Sequence, residues 1–254
     1  MILDLFRLDG RVALVTGAGQ GLGQAMAIGL AEAGADIVAL DRRDSDQTGQ
    51  AVTALGRRFK SIRCDLLQAS VTDLQQVVAQ AVNELGHLDV LVNNAGIIRR
   101  APALDFSETD WDDVLQINLK VVFFLSQAAA RVMLSNGGGK IVNVASMLSY
   151  QGGIIVPSYT AAKSAVAGVT RALANEWAQH GINVNAIAPG YMATDNTAPL
   201  RADANRSAAI LDRIPAGRWG TPDDLKGVVV FLASPAASYL YGAIVPVDGG
   251  WLAR

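Results

Sequence analysis

Short aliphatic runs alternate with longer amphipathic stretches along this chain, and that alternation limits the folds open to it. Segments 11–16 (RVALVT), 36–41 (DIVALD), 89–96 (DVLVNNAG), 140–146 (KIVNVAS) and 183–188 (NVNAIA) read as strands. They are apolar on both faces, as a strand covered on both sides must be. Weaker strand signals lie at 61–64 (SIRC) and 244–247 (IVPV), and the proline of the latter suits an edge better than the middle of a sheet. Between the strands, 21–34 reads as a helix stopped by Gly34, and 71–86 as one stopped by Gly86, with Leu74, Val77, Val78, Ala81, Val82 and Leu85 on one face. Ser107 opens Ser-Glu-Thr-Asp, a capping signal ahead of an apolar helix at 111–133, and Thr221-Pro222 opens another. A further helix runs from Tyr159 to about Gln179. Parallel neighbours need crossovers, so the expectation is an α/β chain whose mostly parallel sheet of about seven strands carries helices on both faces.

No linker-like composition interrupts this pattern, so residues 1–254 are read as one domain. Segment 190–220 departs from it. Pro, Thr, Asn and Arg gather there around RADANRSAAILDR, as in a substrate lid between the sixth strand and the last helix.

Apolar residues make up 51% of the chain, enough for a large core, and 21 basic against 23 acidic side chains leave a net charge of −2. That balance argues against nucleic acid, since the only adjacent basic pairs are Arg42-Arg43, Arg57-Arg58 and Arg99-Arg100. Cys64 is the single cysteine and reads as a small buried hydrophobe, while His87 and His180 are far apart, so no metal site is expected. The start, MILDLFRLDG, is not a secretory signal. The longest uncharged stretch is broken by Asn, Gln, Gly and Pro, so the expectation is a cytoplasmic protein with no membrane segment.

The first strand runs into Thr16-Gly17-Ala18-Gly19-Gln20-Gly21-Leu22-Gly23 and then a helix. Glycines allow a tight turn and close backbone approach, and a helix N-terminus offers free N–H groups to a pyrophosphate. Strict G-x-G-x-x-G spacing fails, because Leu22 and Gln24 occupy the positions where the third glycine would fall; what stands there is T-G-x-x-x-G-x-G. The placement points to a doubly wound Rossmann-type domain. Asp41 ends the second strand, where a carboxylate accepts ribose hydroxyls and repels a 2′-phosphate, so NAD is favoured over NADP. Arg42 and Arg43 beside it could accommodate that phosphate.

Segment 158–168 (SYTAAKSAVAG) sets a phenol and an ammonium four positions apart, on one helical face. A free phenol titrates near about 10, and a neighbouring ammonium lowers that value. Lys163 is therefore expected to tune Tyr159 as an acid/base.

Together with Asn93-Asn94-Ala95-Gly96, Asn118, Ser146 and Pro189-Gly190, these motifs resemble the short-chain dehydrogenase/reductase family over essentially the whole chain. The resemblance implies hydride transfer between a nicotinamide and a carbonyl, with Asn118, Ser146, Tyr159 and Lys163 as the catalytic group. It implies cofactor contacts at Gly17, Gln20, Gly21, Leu22, Gly23, Asp41, Asp65, Leu66, Asn93, Ala95 and Gly96. Tyr159, Lys163, Pro189, Gly190, Met192 and Thr194 complete that set. Asp65 reads equally as a cap for the turn after it. The resemblance is closest to members acting on a 2-deoxy or 2-keto-3-deoxy sugar acid, a small-molecule partner, and it implies a homotetramer. Ser146, Gln151 and Tyr159 are the expected substrate contacts, with Tyr150 beside Gln151. Arg99, Arg100, Arg201, Arg206 and Arg218 are candidates for a substrate carboxylate, Arg99 and Arg206 being taken forward. Another keto acid, a polyol or an acyl thioester is the alternative substrate, and a non-catalytic dinucleotide sensor the alternative class.

Overall fold

The computed structural model describes residues 1–254. Its strands are β1 (Val12–Thr16), β2 (Asp36–Asp41), β3 (Phe59–Arg63), β4 (Val90–Asn93), β5 (Gly139–Val144), β6 (Ile182–Pro189) and β7 (Ile244–Val247). They form one seven-stranded sheet in the order β3-β2-β1-β4-β5-β6-β7. Every adjacent pair is parallel. The chain starts at β1, steps outward to β3, then returns to pair β4 with β1 through Ala13 opposite Val90. Strand order reverses between β1 and β4, and a crevice opens there beyond the carboxyl ends of the strands.

The helices are α1 (Gly21–Glu32), α2 (Asp46–Ala54), α3 (Val71–Leu85), α4 (Glu108–Leu115), α5 (Val121–Ser135), α6 (Pro157–Trp177), α7 (Ala198–Ala202), α8 (Ala204–Arg213) and α9 (Lys226–Ala233). Successive residues of a strand face opposite sides, so β1 feeds two separate core layers. Val12 and Leu14 enter one layer with Leu74, Val77 and Leu125 from α3 and α5. Ala13 and Val15 enter the other, with Met26, Leu30, Val229 and Leu232 from α1 and α9. Both faces are thus buried, which is why the strand sequence has no polar alternation.

Gly86 ends α3 in the left-handed conformation, at φ +97, as its position suggested. Ser107 accepts the Asp110 N–H and starts α4. The long helix expected after it is interrupted by a π turn at Gln116–Lys120. Thr221-Pro222 opens a short 3-10 turn, Pro222–Leu225, before α9. β3 begins two residues earlier than the SIRC signal, at Phe59, and α2 was not expected. β7, with its proline, lies at the sheet edge. Segment 190–220 holds α7 and α8, and Ile210 and Ile214 are buried there against Met147 and Trp251. Glu108–Ser135 is long and apolar enough by composition to cross a bilayer, yet its apolar window is 56% buried inside the protein, where Leu125 and Ala129 pack under the sheet.

Candidate active site

At the end of β1, the backbone turns through Gly17 (φ +65) and Gly21 (φ +59), a left-handed conformation that favours glycine. A Cβ on Gly23 would collide with the Gly17 carbonyl oxygen and the Asn94 amide. Gly23 therefore acts by letting α1 pack onto the turn, and it does not line the cleft itself. Thr16 Oγ1 accepts the N–H groups of Asn94 and Ala95, both at 2.9 Å, and Asn94 Nδ2 donates to the Thr16 carbonyl at 2.9 Å. These bonds fix the glycine turn against the end of β4. The first turn of α1 has no side-chain cap and no acidic residue, so its N–H groups remain available to an anion.

From this turn a cleft of about 1220 Å³ extends to Tyr159. That exceeds the ~300–1,000 Å³ typical of small-ligand pockets and suits a dinucleotide with a second molecule beside it. Its walls include Gly17, Gln20, Gly21, Leu22, Asp41, Asp65, Leu66, Ala95, Gly96, Pro189, Gly190, Met192 and Thr194. Asp41 Oδ2 accepts the Gly19 N–H at 2.9 Å and Oδ1 the Arg43 N–H at 3.0 Å, so the carboxylate is held in place at the rim. The Arg43 guanidinium donates to Gln20 Oε1 at 3.2 Å. Asp65 both borders the cleft and caps its own turn, accepting the Leu67 N–H at 3.1 Å.

Asn93 corrects the sequence reading. Its side chain is 3% exposed and turned into the protein, donating to Ser126 Oγ and Asn143 Oδ1 at 2.9 Å each. It ties β4 to β5 and α5, and the neighbouring Asn94 borders the cleft instead. Asn94 went unassigned although it lies in the same motif.

The chemical end is built by β5, α6 and the π turn. Ser146 comes just after β5 in extended backbone, and its Oγ accepts the Leu148 N–H at 3.1 Å, leaving the hydroxyl proton free to be donated. Lys163 is 3% exposed, and its Nζ donates to the Val144 carbonyl at 2.6 Å. Burial pushes its pKa down to about 8. The same ammonium lies 5.6 Å from the centroid of the Tyr159 ring. Burial raises the Tyr159 phenol above its usual value, opposed by the Ser146 hydroxyl and the Arg100 guanidinium. Lys163 Nζ is directed to a backbone carbonyl, and burial is the largest influence on the Tyr159 phenol.

Asn118 sits in the π turn, fully buried, with Nδ2 donating to the Ile97 and Val114 carbonyls at 2.9 and 3.0 Å. Its Oδ1 is buried without a donor. Gly96 leaves the room for it, since a Cβ there would strike that oxygen. The same Cβ position lies 3.8 Å from Lys163 Nζ, so the orphan oxygen and the ammonium border one small space. Such an acceptor calls for a water or a ligand donor.

The arginine candidates separate by partner. Arg99 borders the cleft but is engaged by Asp110 at 3.0 Å and Asp113 at 3.1 Å, so its charge is already matched. Arg218 makes a bidentate pair with Asp224, at 2.7 and 2.8 Å, and Arg201 donates to the Thr194 carbonyl; neither borders the cleft. Arg206 and Gln151 both line it, as does Arg100, which donates to the Asn196 carbonyl at 3.2 Å. Tyr150 donates to the Ile244 carbonyl at 2.6 Å and lies outside the cleft. Arg213 and Trp251 also border the cleft and were missed, because a helix-end arginine and a C-terminal tryptophan carry no positional signal. No group of three His, Cys, Asp or Glu side chains gathers around a point where an ion could bind.

Comparison with known proteins places this geometry in context. Residues 17–252 match the family described as enoyl-(acyl carrier protein) reductase. The chain is 62% identical over 255 residues to 2-dehydro-3-deoxy-D-gluconate 5-dehydrogenase of Escherichia coli strain K12, covering 100% of both chains. It is 53% identical to the protein of that name from Bacillus subtilis strain 168, over 99% of this chain and 98% of that one. Among solved structures, a candidate 2-deoxy-D-gluconate 3-dehydrogenase from Agrobacterium tumefaciens with bound NADP superposes at a TM-score of 0.90. It shares 55% identity over 98% of this chain and 99% of its own.

Proposed function

The chain belongs to the short-chain dehydrogenase/reductase family, and from that premise we propose that it interconverts a secondary alcohol and a ketone on a 2-deoxy or 2-keto-3-deoxy sugar acid, with NAD(H) as cofactor and Tyr159 as acid/base. One observation carries the proposal. A desolvated phenol, a free hydroxyl, a buried ammonium and an orphan amide oxygen converge at one end of a cleft whose other end is a glycine turn opening a helix.

When bound, the nicotinamide would supply the hydride chemistry. The open N–H groups of α1 hold phosphate oxygens, and Asp41 takes the ribose hydroxyls of the adenosine half. Pro189, Gly190, Met192 and Thr194 wall the nicotinamide end. Ser146 donates its hydroxyl proton to the reacting oxygen, and Tyr159 gives a proton to that oxygen or removes one from it. With the phenol raised by burial, the resting side chain is protonated and ready to donate. Proton removal is favoured by Arg100. Lys163 orients ribose hydroxyls, and Asn118 Oδ1 accepts from a water that links the ammonium to solvent.

The substrate class rests on the names of relatives that match along their whole length. NAD rests on Asp41, whose charge opposes a 2′-phosphate. A second reading, NADP, is favoured by the Arg43 guanidinium held beside Gln20 and by the NADP in the A. tumefaciens relative. The proposal includes segment 190–220 closing over the substrate, and a cytoplasmic homotetramer. Half-buried Phe123 and Phe124 on α5 and the exposed Trp111 on α4 would supply apolar surface for the assembly.

The test is a nicotinamide absorbance screen over sugar acids, polyols, keto acids and acyl thioesters, run with NADH and NADPH in parallel. Turnover of a sugar acid is expected, with Tyr159→Phe abolishing it while NADH binding stays nearly unchanged. A Tyr159→Phe enzyme retaining most of its rate would remove the acid/base assignment.

A further inference from the structure

The cleft contains a cation that the proton chemistry does not use, and it rests on an aromatic platform. Arg213 closes α8 and has no carboxylate partner; its one hydrogen bond runs from Nη2 to Gln151 Oε1 at 3.4 Å. Its guanidinium lies 4.0 Å from the centroid of the Trp251 ring. Trp251 is 5% exposed, and its indole N–H is buried without an acceptor. Native proteins rarely leave such a donor unmatched unless a ligand or water supplies the acceptor.

The platform is rigid. Trp251 meets the Tyr191 ring edge-on at 4.8 Å and packs with Met147, Ile210 and Ile214. Asp248 accepts the Gly250 and Leu252 N–H groups at 2.9 Å each, and Arg254 donates to the Asp212 carbonyl at 3.0 Å, so the C-terminal turn is tied to the end of α8. Met147 is the residue directly after Ser146, which places the platform beside the reacting end of the cleft. The remaining cations divide by role. Arg99 and Arg218 are neutralised by carboxylates, Arg100 acts on the Tyr159 phenol, and Arg206 lines the cleft but lies over no aromatic ring.

We propose that the stacked Arg213 guanidinium and the Trp251 N–H form the subsite for the substrate carboxylate, separate from the Arg100 charge at the reacting oxygen. This rests on the sugar-acid reading of the substrate. An arginine held flat against an indole keeps its donor edge free and loses little freedom when a carboxylate docks bidentately. A carboxylate anchored there sets how far along the carbon chain the phenol reaches, so this pair selects which hydroxyl is oxidised.

Arg213 is solvent-exposed, so Arg213→Gln should fold, which a melting curve checks. Steady-state kinetics would compare the sugar acid with its uncharged primary-alcohol counterpart. Calorimetry would follow the acid binding to the enzyme–NADH complex. Arg213→Gln is expected to raise KM and Kd for the acid by about 10- to 100-fold, with the neutral compound and NADH changed less than about twofold. Trp251→Phe keeps an aromatic face and removes the donor, and should raise KM for the acid by about three- to tenfold. Arg213→Lys should recover part of the loss. An unchanged preference for acid over neutral compound in Arg213→Gln, or equal losses on both, overturns the subsite while leaving the substrate class standing. A wild-type enzyme that turns over no sugar acid overturns the reading beneath it.

Discussion

Lys163 buries an ammonium at the inner end of the cleft, and the cost should be measurable as a pH-dependent stability. The group is 3% exposed, and its hydrogen bond goes to the Val144 carbonyl at 2.6 Å. Burial lowers its pKa from 10.5 to about 8. Between those values the unfolded chain holds a proton that the folded protein has released. Stability therefore rises with pH from about 8 to about 10.5 and is flat on either side. At about 1.4 kcal/mol per unit the full span is worth about 3 kcal/mol, of which about 1 kcal/mol falls between pH 7 and 9. Lys140 is also lowered to about 8 by burial, so wild type alone mixes the two groups. Lys163→Met retains Lys140, and the difference between the two proteins isolates Lys163. Urea unfolding of both at pH 7, 8 and 9, at fixed protein concentration and without cofactor, should show wild type gaining about 1 kcal/mol on the variant. That corresponds to about 2–4 °C in Tm. A difference that stays flat or falls with pH would refute a desolvated, charged lysine at this position. The same substitution should abolish turnover, because it removes the ammonium beside the orphan Asn118 oxygen.

Other substitutions test separate parts of the site. Asp41→Asn keeps an acceptor for the Gly19 or Arg43 N–H and removes the charge. The ratio of kcat/KM for NADPH to that for NADH should rise about tenfold or more, and an unchanged ratio would show that Asp41 does not set the preference. Gly23→Ala drives a methyl group against the Gly17 carbonyl and Asn94; a stability loss of about 1–3 kcal/mol and weakened NADH binding are expected by melting and fluorescence titration. Ile155 has φ +58, a conformation that is strained for a β-branched residue and easier for Asn. Ile155→Asn should therefore raise stability by about 1 kcal/mol in denaturant titration, and a loss would show that its packing outweighs the strain.

The parallel sheet was legible because β1 and the middle of β2 are apolar on both faces, a pattern fixed by burial and not by local propensity. Helix ends were legible where one residue decides them, as at Ser107 and Gly86. α2 was not, because its buried face is Thr48, Gly49 and Val52. Thr48 Oγ1 donates to the Ala18 carbonyl at 2.7 Å, and Gly49 makes room for the Phe59 ring, so this helix docks without an apolar stripe. The π turn was equally hidden: it carries the Asn118 amide to the Ile97 carbonyl, a partner set by tertiary structure. The side-chain partners of Asn93 and Arg99 were hidden for the same reason. A motif gives a position in the chain, while Asn143, Ser126, Asp110 and Asp113 decide where those side chains point.

The Tyr159–Lys163 pair carries this furthest. Helical spacing brings the two onto one face, and from spacing alone the ammonium should stabilise the phenolate. Burial acts on both groups together, and it disfavours charge on each: the phenol rises and the ammonium falls. Each group is thereby held closer to its neutral form, and their proton affinities are moved apart, so the resting pair keeps its proton on the phenol. A protein that only bound a dinucleotide could use Lys163 for a ribose, but it would gain nothing from the unmatched Asn118 amide oxygen in its core. Retaining that oxygen supports the catalytic reading over the binding-only one.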